Sequence, residues 1–279
     1  MKIKISADST CDLSPELIEK YNIGITPLYI NVDDKSFRDI EEINVDDLFG
    51  YVNAGATYGT AAVNLQDYLD VFSEWRKEYD AVIHFTISSD MSSCFQNAKI
   101  AAAELDNVYV IDSRNLSTGI GHLVLDAAEM AASNQDAESI YTTLEEKKSK
   151  LDVSFVLYTL DYLRKGGRCS AVAAFGANLL KLRPCILVRD GKMGVGKKYR
   201  GDMTKCYVDY IKDMLSDTET LDLHRIFITD SGLDEDTQAL LEQTVRDCAP
   251  FEEIIHTRAG CTISGHCGPG CMGVLFYHK

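Results

Sequence analysis

The sequence predicts an α/β protein of two domains, and three observations carry that expectation. Strand-then-helix units repeat through the first half, hairpins mix with crossover helices in the second, and 46% of the 279 residues are apolar. Strands alternating with helices favour a parallel, doubly wound sheet, because each crossover lays a helix on a sheet face. A chain of this size and apolar content has enough core for roughly two ordinary domains.

The elements follow in order. Lys2 to Ser6 alternates like a strand and runs into Asp8-Ser9-Thr10-Cys11-Asp12. Leu13 to Tyr21 has helical spacing, with Ser14 as N-cap and Pro15 at the first helical position. Gly24 to Val32 reads as one strand and Asp46 to Asn53 as a short helix. Ala81 to Ile87 is a continuous apolar run of the kind a buried parallel strand needs, followed by a serine-rich loop and a helix over Met91 to Leu105. Asn107 to Ile111 repeats the strand and Ser117 to Ala132 the helix, with a charged helix over Ala137 to Lys148.

A change of character near residue 150 marks the expected boundary. Residues 1–150 form a Rossmann-like, three-layer α/β/α domain with a parallel sheet, and residues 151–279 an α/β domain with a mixed sheet. In the second half, strands are expected at Val153 to Tyr158, Arg225 to Thr229, Glu253 to Thr257 and Gly273 to His278. Helices are expected at Ala171 to Leu180, Thr204 to Ser216 and Glu235 to Cys248. Asp190-Gly191 between Cys185–Arg189 and Met193–Tyr199 marks a hairpin turn.

The formal net charge of -15 argues against nucleic acid or an anionic membrane surface as partner, since the long-range field repels polyanions. An anionic ligand therefore needs local donors. No apolar stretch approaches the length of a membrane span, so an integral membrane protein is not expected. The polar run from Ser6 leaves no room for the apolar core of a signal peptide, and the nine scattered cysteines read as reduced thiols, which together make the cytoplasm the expected location.

In an open α/β sheet, ligands bind beyond the carboxyl ends of the strands. Three polar clusters fall at such ends: Asp8-Ser9-Thr10, Ser88-Ser89-Asp90-Met91-Ser92-Ser93, and Asp112-Ser113. Backbone N–H groups opening the helix after Ser92 favour an anion, although such residues serve equally as caps and turn formers. Gly59 to Asn64 reads as a small-residue loop that keeps the Thr60 hydroxyl available beside Ala61. Ile263 to Gly273 holds four glycines and a proline and reads as a tight loop. An imidazole there, His266, can donate a hydrogen bond or carry positive charge toward an anion. The concentrated basic patches are Lys165-Gly166-Gly167-Arg168 and Lys197-Lys198-Tyr199-Arg200.

Five segments in this order resemble the DegV family: Asp8 to Leu13, Thr60 to Asn64 before Asp67-Tyr68, Ile87 to Ser93, Leu160 to Arg168, and Gly265 to Gly270. That resemblance implies a DegV-like fold and a non-catalytic carrier without cofactor. It implies a long-chain fatty acid, palmitate- or oleate-like, lying in a tunnel between the two domains. The carboxylate would sit at Thr60, Ala61, Ser92, Ser93 and His266, with Thr60 and Ser92 as hydroxyl donors. Some relatives hand the fatty acid to a separate kinase that makes the acyl phosphate for phospholipid synthesis; Arg200 matches the basic residue implicated there, and Arg168 is a second candidate for a partner or phosphate contact. The chain departs from the usual pattern at Ala61-Ala62-Val63-Asn64, at Ser93-Cys94, and at Cys267 and Cys271. Each buried CH₂ is worth about 0.8 kcal/mol, so the tail supplies affinity and the polar residues fix orientation.

Two other readings stand beside the carrier. A hydrolase or other enzyme acting on an acyl substrate would need an elbow, zincin or phosphate-loop motif, and none occurs in the sequence. A metal site at Cys261, His266, Cys267 and Cys271 lacks paired Cys-x-x-Cys spacing, and adjacent His266 and Cys267 fit one tetrahedral ion poorly, so no metal is expected.

Overall fold

The computed structural model describes residues 1–170 and 182–279. The chain divides into two compact units, Met1–Ser149 with Gly260–Thr262, and Lys150–Ala259 with Ile263–Lys279. The helix expected at Ala171 to Leu180 lies outside the described residues.

In the first unit the strands and helices are β1 Ile3–Asp8, α1 Pro15–Lys20, β2 Gly24–Thr26, β3 Tyr29–Val32, β4 Lys35–Arg38, α2 Val45–Asn53 and β5 Tyr58–Ala61. They continue as α3 Leu65–Glu78, β6 Ala81–Thr86, α4 Cys94–Ala102, β7 Val108–Asp112, α5 Thr118–Ala132 and α6 Ala137–Lys147. The main sheet has the order β2-β1-β6-β7 and every pair in it is parallel. Helices α3 and α4 pack on each other and on the sheet, as do α5 and α6, and β6 is buried along its whole length. This is the expected α/β/α layering.

The chain leaves β1 toward β2 on one side and returns as β6 on the other. The crevice at the carboxyl ends of β1 and β6 is therefore the switch point of this sheet, the place where open α/β sheets take ligands.

Two expectations need correction in this unit. Gly24 to Val32 is two strands, not one: Pro27 has no N–H for a ladder and constrains Thr26 before it, so β2 ends and β3 begins in a separate sheet. Gly59 to Asn64 is not simply a loop, because Tyr58–Ala61 pairs antiparallel with β3 as the edge of a three-stranded sheet, β4-β3-β5. That small sheet has a core of Ile30, Val32, Ile43, Val45, Leu48 and Cys261.

Caps punctuate the helices as local chemistry requires. Ser14 accepts from the Leu17 N–H with Pro15 opening α1, and Asn44, Asn64 and Asp136 cap α2, α3 and α6 in the same way.

The second unit holds β8 Leu151–Val156, α7 Asp161–Gly166, β9 Leu182–Arg189, β10 Lys192–Arg200, α8 Met203–Met214 and β11 Leu221–Asp230. It ends with α9 Glu235–Cys248, β12 Glu253–Arg258, α10 Cys261–Cys267, whose first two residues fall in the first unit, and β13 Met272–His278. Its sheet runs β10-β9-β8-β13-β11-β12, with only β11 and β12 parallel, which is the mixed sheet expected. The Asp190-Gly191 turn has φ of 49° and 79°, the left-handed pair that a two-residue hairpin requires. Tyr210, Phe276, Ile226, Leu241 and Val245 centre the core between this sheet and the α8–α9 pair. Among the described residues, no helix is long and apolar enough to cross a membrane.

Candidate functional site

At the switch point the polar residues of β1, the β6 loop and α3 form one hydrogen-bonded system. Asp8 ends β1 and is fully buried. It accepts from the Tyr68 hydroxyl at 2.5 Å and the Ile87 N–H at 3.1 Å, and faces His84 Nε2 at 3.2 Å. Burial, and then the Asp8 charge, push the Tyr68 phenol well above its ordinary value. Burial raises the nearby Cys94 thiol to about 12. The half-buried Ser92 donates to Cys94 Sγ at 3.2 Å and accepts from the Cys94 N–H at 3.3 Å.

The other serines have different occupations. Ser93 is exposed, stands at the N-cap position of α4 and makes no capping bond with its side chain. Ser88 Oγ accepts from the Asp90 N–H, and Ser89 binds Asp112 through both its N–H and its hydroxyl. Thr60 and Ala61 lie half-buried on β5, opposite Ile30 and Tyr29. In the first cluster Ser9 donates to Asp39, and the fully buried Thr10 hydroxyl has no hydrogen-bond partner among the described residues.

A Ser, His and Asp sequence of contacts does exist. Ser6 Oγ lies 3.0 Å from His84 Nδ1, and His84 Nε2 3.2 Å from Asp8. All three side chains are fully buried and belong to the core of this unit.

Two buried aspartic side chains that sequence reasoning left aside hold Gly260–Thr262 in the first unit. Asp39 accepts from the N–H groups of Cys261 and Thr262 at 2.9 and 3.1 Å and from the Thr262 hydroxyl at 2.6 Å. Asp12, at φ 50°, accepts from Ser117 Oγ at 2.6 Å and from the Gly260 N–H at 2.9 Å. Burial raises the Asp12 carboxyl to about 8, against those donors.

In the second unit, Ile263 to Gly273 is a helix end followed by a turn rather than a free loop. Helix α10 carries His266 in its last turn, and Gly268 and Gly270 take φ of 79° and 71° beyond it. The imidazole lies against α7: a Cβ on Gly166 would collide with His266 Nδ1, and one on Gly268 would fall 2.5 Å from the Tyr162 ring. Glycines at these positions let the Leu160–Arg168 and Gly265–Gly270 segments meet. Burial, and then the nearby Arg168 charge, lower His266 to about 4. The imidazole is therefore neutral at pH 7 and can serve as a hydrogen-bonding group, not as the cation the sequence also allowed.

Arg168 is exposed and donates to the Gly166 carbonyl at 2.8 Å; Arg200 is the exposed last residue of β10. Cys267 and Cys271 are buried and hydrogen-bonded to each other. Among the described residues, no group of three or more His, Cys, Asp or Glu side chains is placed to hold a metal ion.

Pattern reading passed over Tyr68 and His84, which join this polar system. His84 interrupts the apolar run Ala81 to Ile87, and a histidine inside a buried strand is the available signal.

A parallel sheet with a polar switch point, joined in one chain to a mixed six-stranded sheet, defines a two-unit α/β protein. The model of the DegV family, described as "Uncharacterised protein, DegV family", matches residues 2–279, and the chain belongs to that family. A DegV domain-containing protein of Caldanaerobacter subterraneus is 32% identical over 282 residues, covering 100% of this chain and 99% of its own. A fatty acid-binding protein of Thermotoga maritima is 30% identical over 281 residues, covering 98% and 96%. The solved structure of a Thermus thermophilus DegV family protein, described for its fatty acid binding, superposes with a TM-score of 0.92 at 32% identity over 100% of both chains.

Proposed function

We propose that the protein binds a long-chain fatty acid, palmitate- or oleate-like, with the tail taken up between the two units. The head group meets Thr60, Ala61, Ser92, Ser93 and His266. The observation that carries this reading is the end-to-end similarity to a solved relative described for fatty acid binding, at 32% identity. The switch-point geometry supports it, because a half-buried hydroxyl backed by a buried network is a polar anchor for the end of an aliphatic ligand.

The protein acts as a carrier rather than an enzyme, in the cytoplasm and without a cofactor. The buried state of Ser6, His84 and Asp8 favours this over hydrolysis of an acyl substrate. It presents its cargo to a separate fatty acid kinase, with the exposed Arg200 and Arg168 offering positive charge to that partner or to a phosphate, and so serves phospholipid synthesis.

Titration of the lipid-free protein with palmitate tests the reading. Saturable binding at one site is expected, and Ser92→Ala weakens it by about 1.5–3 kcal/mol through a lost hydrogen bond to the head group. Unchanged affinity in that variant would place the head group elsewhere.

A further inference from the structure

Arg183 lies near the start of β9, and the end of β8 shapes its surroundings. Cys185 pairs with Val156 in the sheet, and beyond that pair the Leu157 N–H donates to the Pro184 carbonyl at 3.1 Å, which brings Tyr158 alongside Arg183. Arg183 Nη1 donates to the Tyr158 carbonyl at 2.7 Å, and the guanidinium carbon lies 4.1 Å from the centre of the Tyr158 ring. The hydrogen bond fixes one prong of the guanidinium, and the ring supports its plane. Arg183 is the register partner of Tyr199, whose ring lies 6.1 Å from that of Tyr210 on α8, so this side chain belongs to the α8 face of the sheet. Burial raises the Cys206 thiol on that helix, and the Arg183 charge is the next influence on it, in the opposite direction. Arg200 pairs with Leu182 and so belongs to the other face, which makes the contact proposed for it above a different one.

A guanidinium has five N–H donors. Arg183 gives one of them to Tyr158. Its Nε is buried and has no hydrogen-bond partner among the described residues, Nη2 donates to none of them, and no carboxylate among them lies within ion-pair reach. Arg189, farther along the same strand, shows the opposite condition: its Nη1 and Nη2 hold the Asp152 carboxylate at 3.0 to 3.2 Å. A buried charged donor without an acceptor is costly, and Nε and Nη2 share the guanidinium edge that matches two oxygens of a carboxylate or phosphate.

We propose that Arg183 is an oxoanion-binding residue: its Nε and Nη2 edge takes two oxygens of a carboxylate or phosphate group, on a guanidinium anchored by Tyr158. Tyr158 is 52% exposed, so its ring can shift to admit an anion to the buried Nε while its carbonyl keeps hold of Nη1. A chain with a net charge of -15 repels small anions at long range, so such a site depends on these local donors. It uses none of the head-group residues and does not rest on the fatty-acid reading.

Proton–nitrogen correlation NMR of the arginine Nε–H groups in the full-length protein tests this. The Arg183 signal is assigned by its loss in Arg183→Lys and, independently, by its displacement in Tyr158→Leu, which removes the ring. Sodium phosphate and, separately, sodium acetate are titrated at constant ionic strength against sodium chloride. The Arg183 signal is expected to shift and saturate with phosphate, with acetate or with both, and to stay in place with chloride. Saturation by phosphate alone assigns a phosphoryl group as the natural ligand, by acetate alone a carboxylate, and by both the two-oxygen face they share. Arg183→Lys keeps the charge and loses the fork, so anion binding followed at the Tyr158 backbone N–H weakens about tenfold. A signal that stays in place with both anions, or moves equally with chloride, overturns the proposal. Undiminished anion binding in Arg183→Lys also overturns it, because an arginine that only anchors Tyr158 takes no part in holding the anion.

Discussion

The two polar regions proposed for the head group are built on opposite principles. At the switch point of the first unit, shape is held by hydrogen bonds: Asp8 accepts from the Tyr68 hydroxyl and the Ile87 N–H, and Ser92 and Cys94 bind each other. In the second unit, His266 is held by the absence of side chains, since Gly166 and Gly268 let two backbone segments close on its ring and on Tyr162. Networks of buried polar groups fail when a member is removed; close-packed glycine contacts fail when something is added. The two regions therefore have different weaknesses.

The largest expected effect is at the hub of the first unit. Asp8→Ala strands the Tyr68 hydroxyl and the Ile87 N–H in the core and costs about 3 kcal/mol or more, read as a lower denaturant midpoint at unchanged m-value. A loss below about 1 kcal/mol would mean that the network is not what holds this region.

Gly166→Ala inverts the experiment. It removes no contact, yet overpacking against His266 costs about 1–3 kcal/mol. The displaced imidazole gains access to water, so its NMR titration moves up from about 4 toward the ordinary 6.5. A variant of native stability whose His266 titration has not moved would contradict the packing account.

How far the sequence reaches is also unequal between the regions. Alternating strand and helix patterns, caps such as Ser14, and the Asp190-Gly191 hairpin are local, and they are legible because each depends on neighbours in sequence. Pro27 is an equally local signal of a strand break, which the reading of Gly24 to Val32 as one strand does not use. Gly59 to Asn64 reads as a loop because an edge strand with two small residues has little pattern of its own; pairing with β3 makes Tyr58–Ala61 a strand. At the candidate site, Ser92 and His266 are visible by residue type. The convergence of Tyr68 and the Ile87 N–H on Asp8, the neutrality of His266 and the hold of Asp39 on Cys261 and Thr262 arise from burial and from partners distant in sequence.

The smallest expected effect is a pH slope, and it too separates the units. Asp12 has its folded pKa raised to about 8 from 3.8, so between these values the folded state binds more protons than the unfolded chain. Its contribution is fully present below pH 3.8 and is lost as pH rises through about 8. His266 is lowered to about 4 from 6.5, so its contribution runs the other way, with stability rising with pH across that window. Only the Asp12 term remains above pH 6.5, and Asp12→Asn should flatten the decline in stability from there to about pH 8 in denaturation series. A decline that persists unchanged would assign it to another group.

The central claim is that this chain carries an aliphatic acid. Mass spectrometry of the organic extract of purified, undenatured protein measures it most directly. One long-chain fatty acid per protein molecule is expected, in near-stoichiometric amount and absent from an unrelated protein prepared alongside. An extract without fatty acid, from protein that also fails to take up added palmitate or oleate, would contradict it.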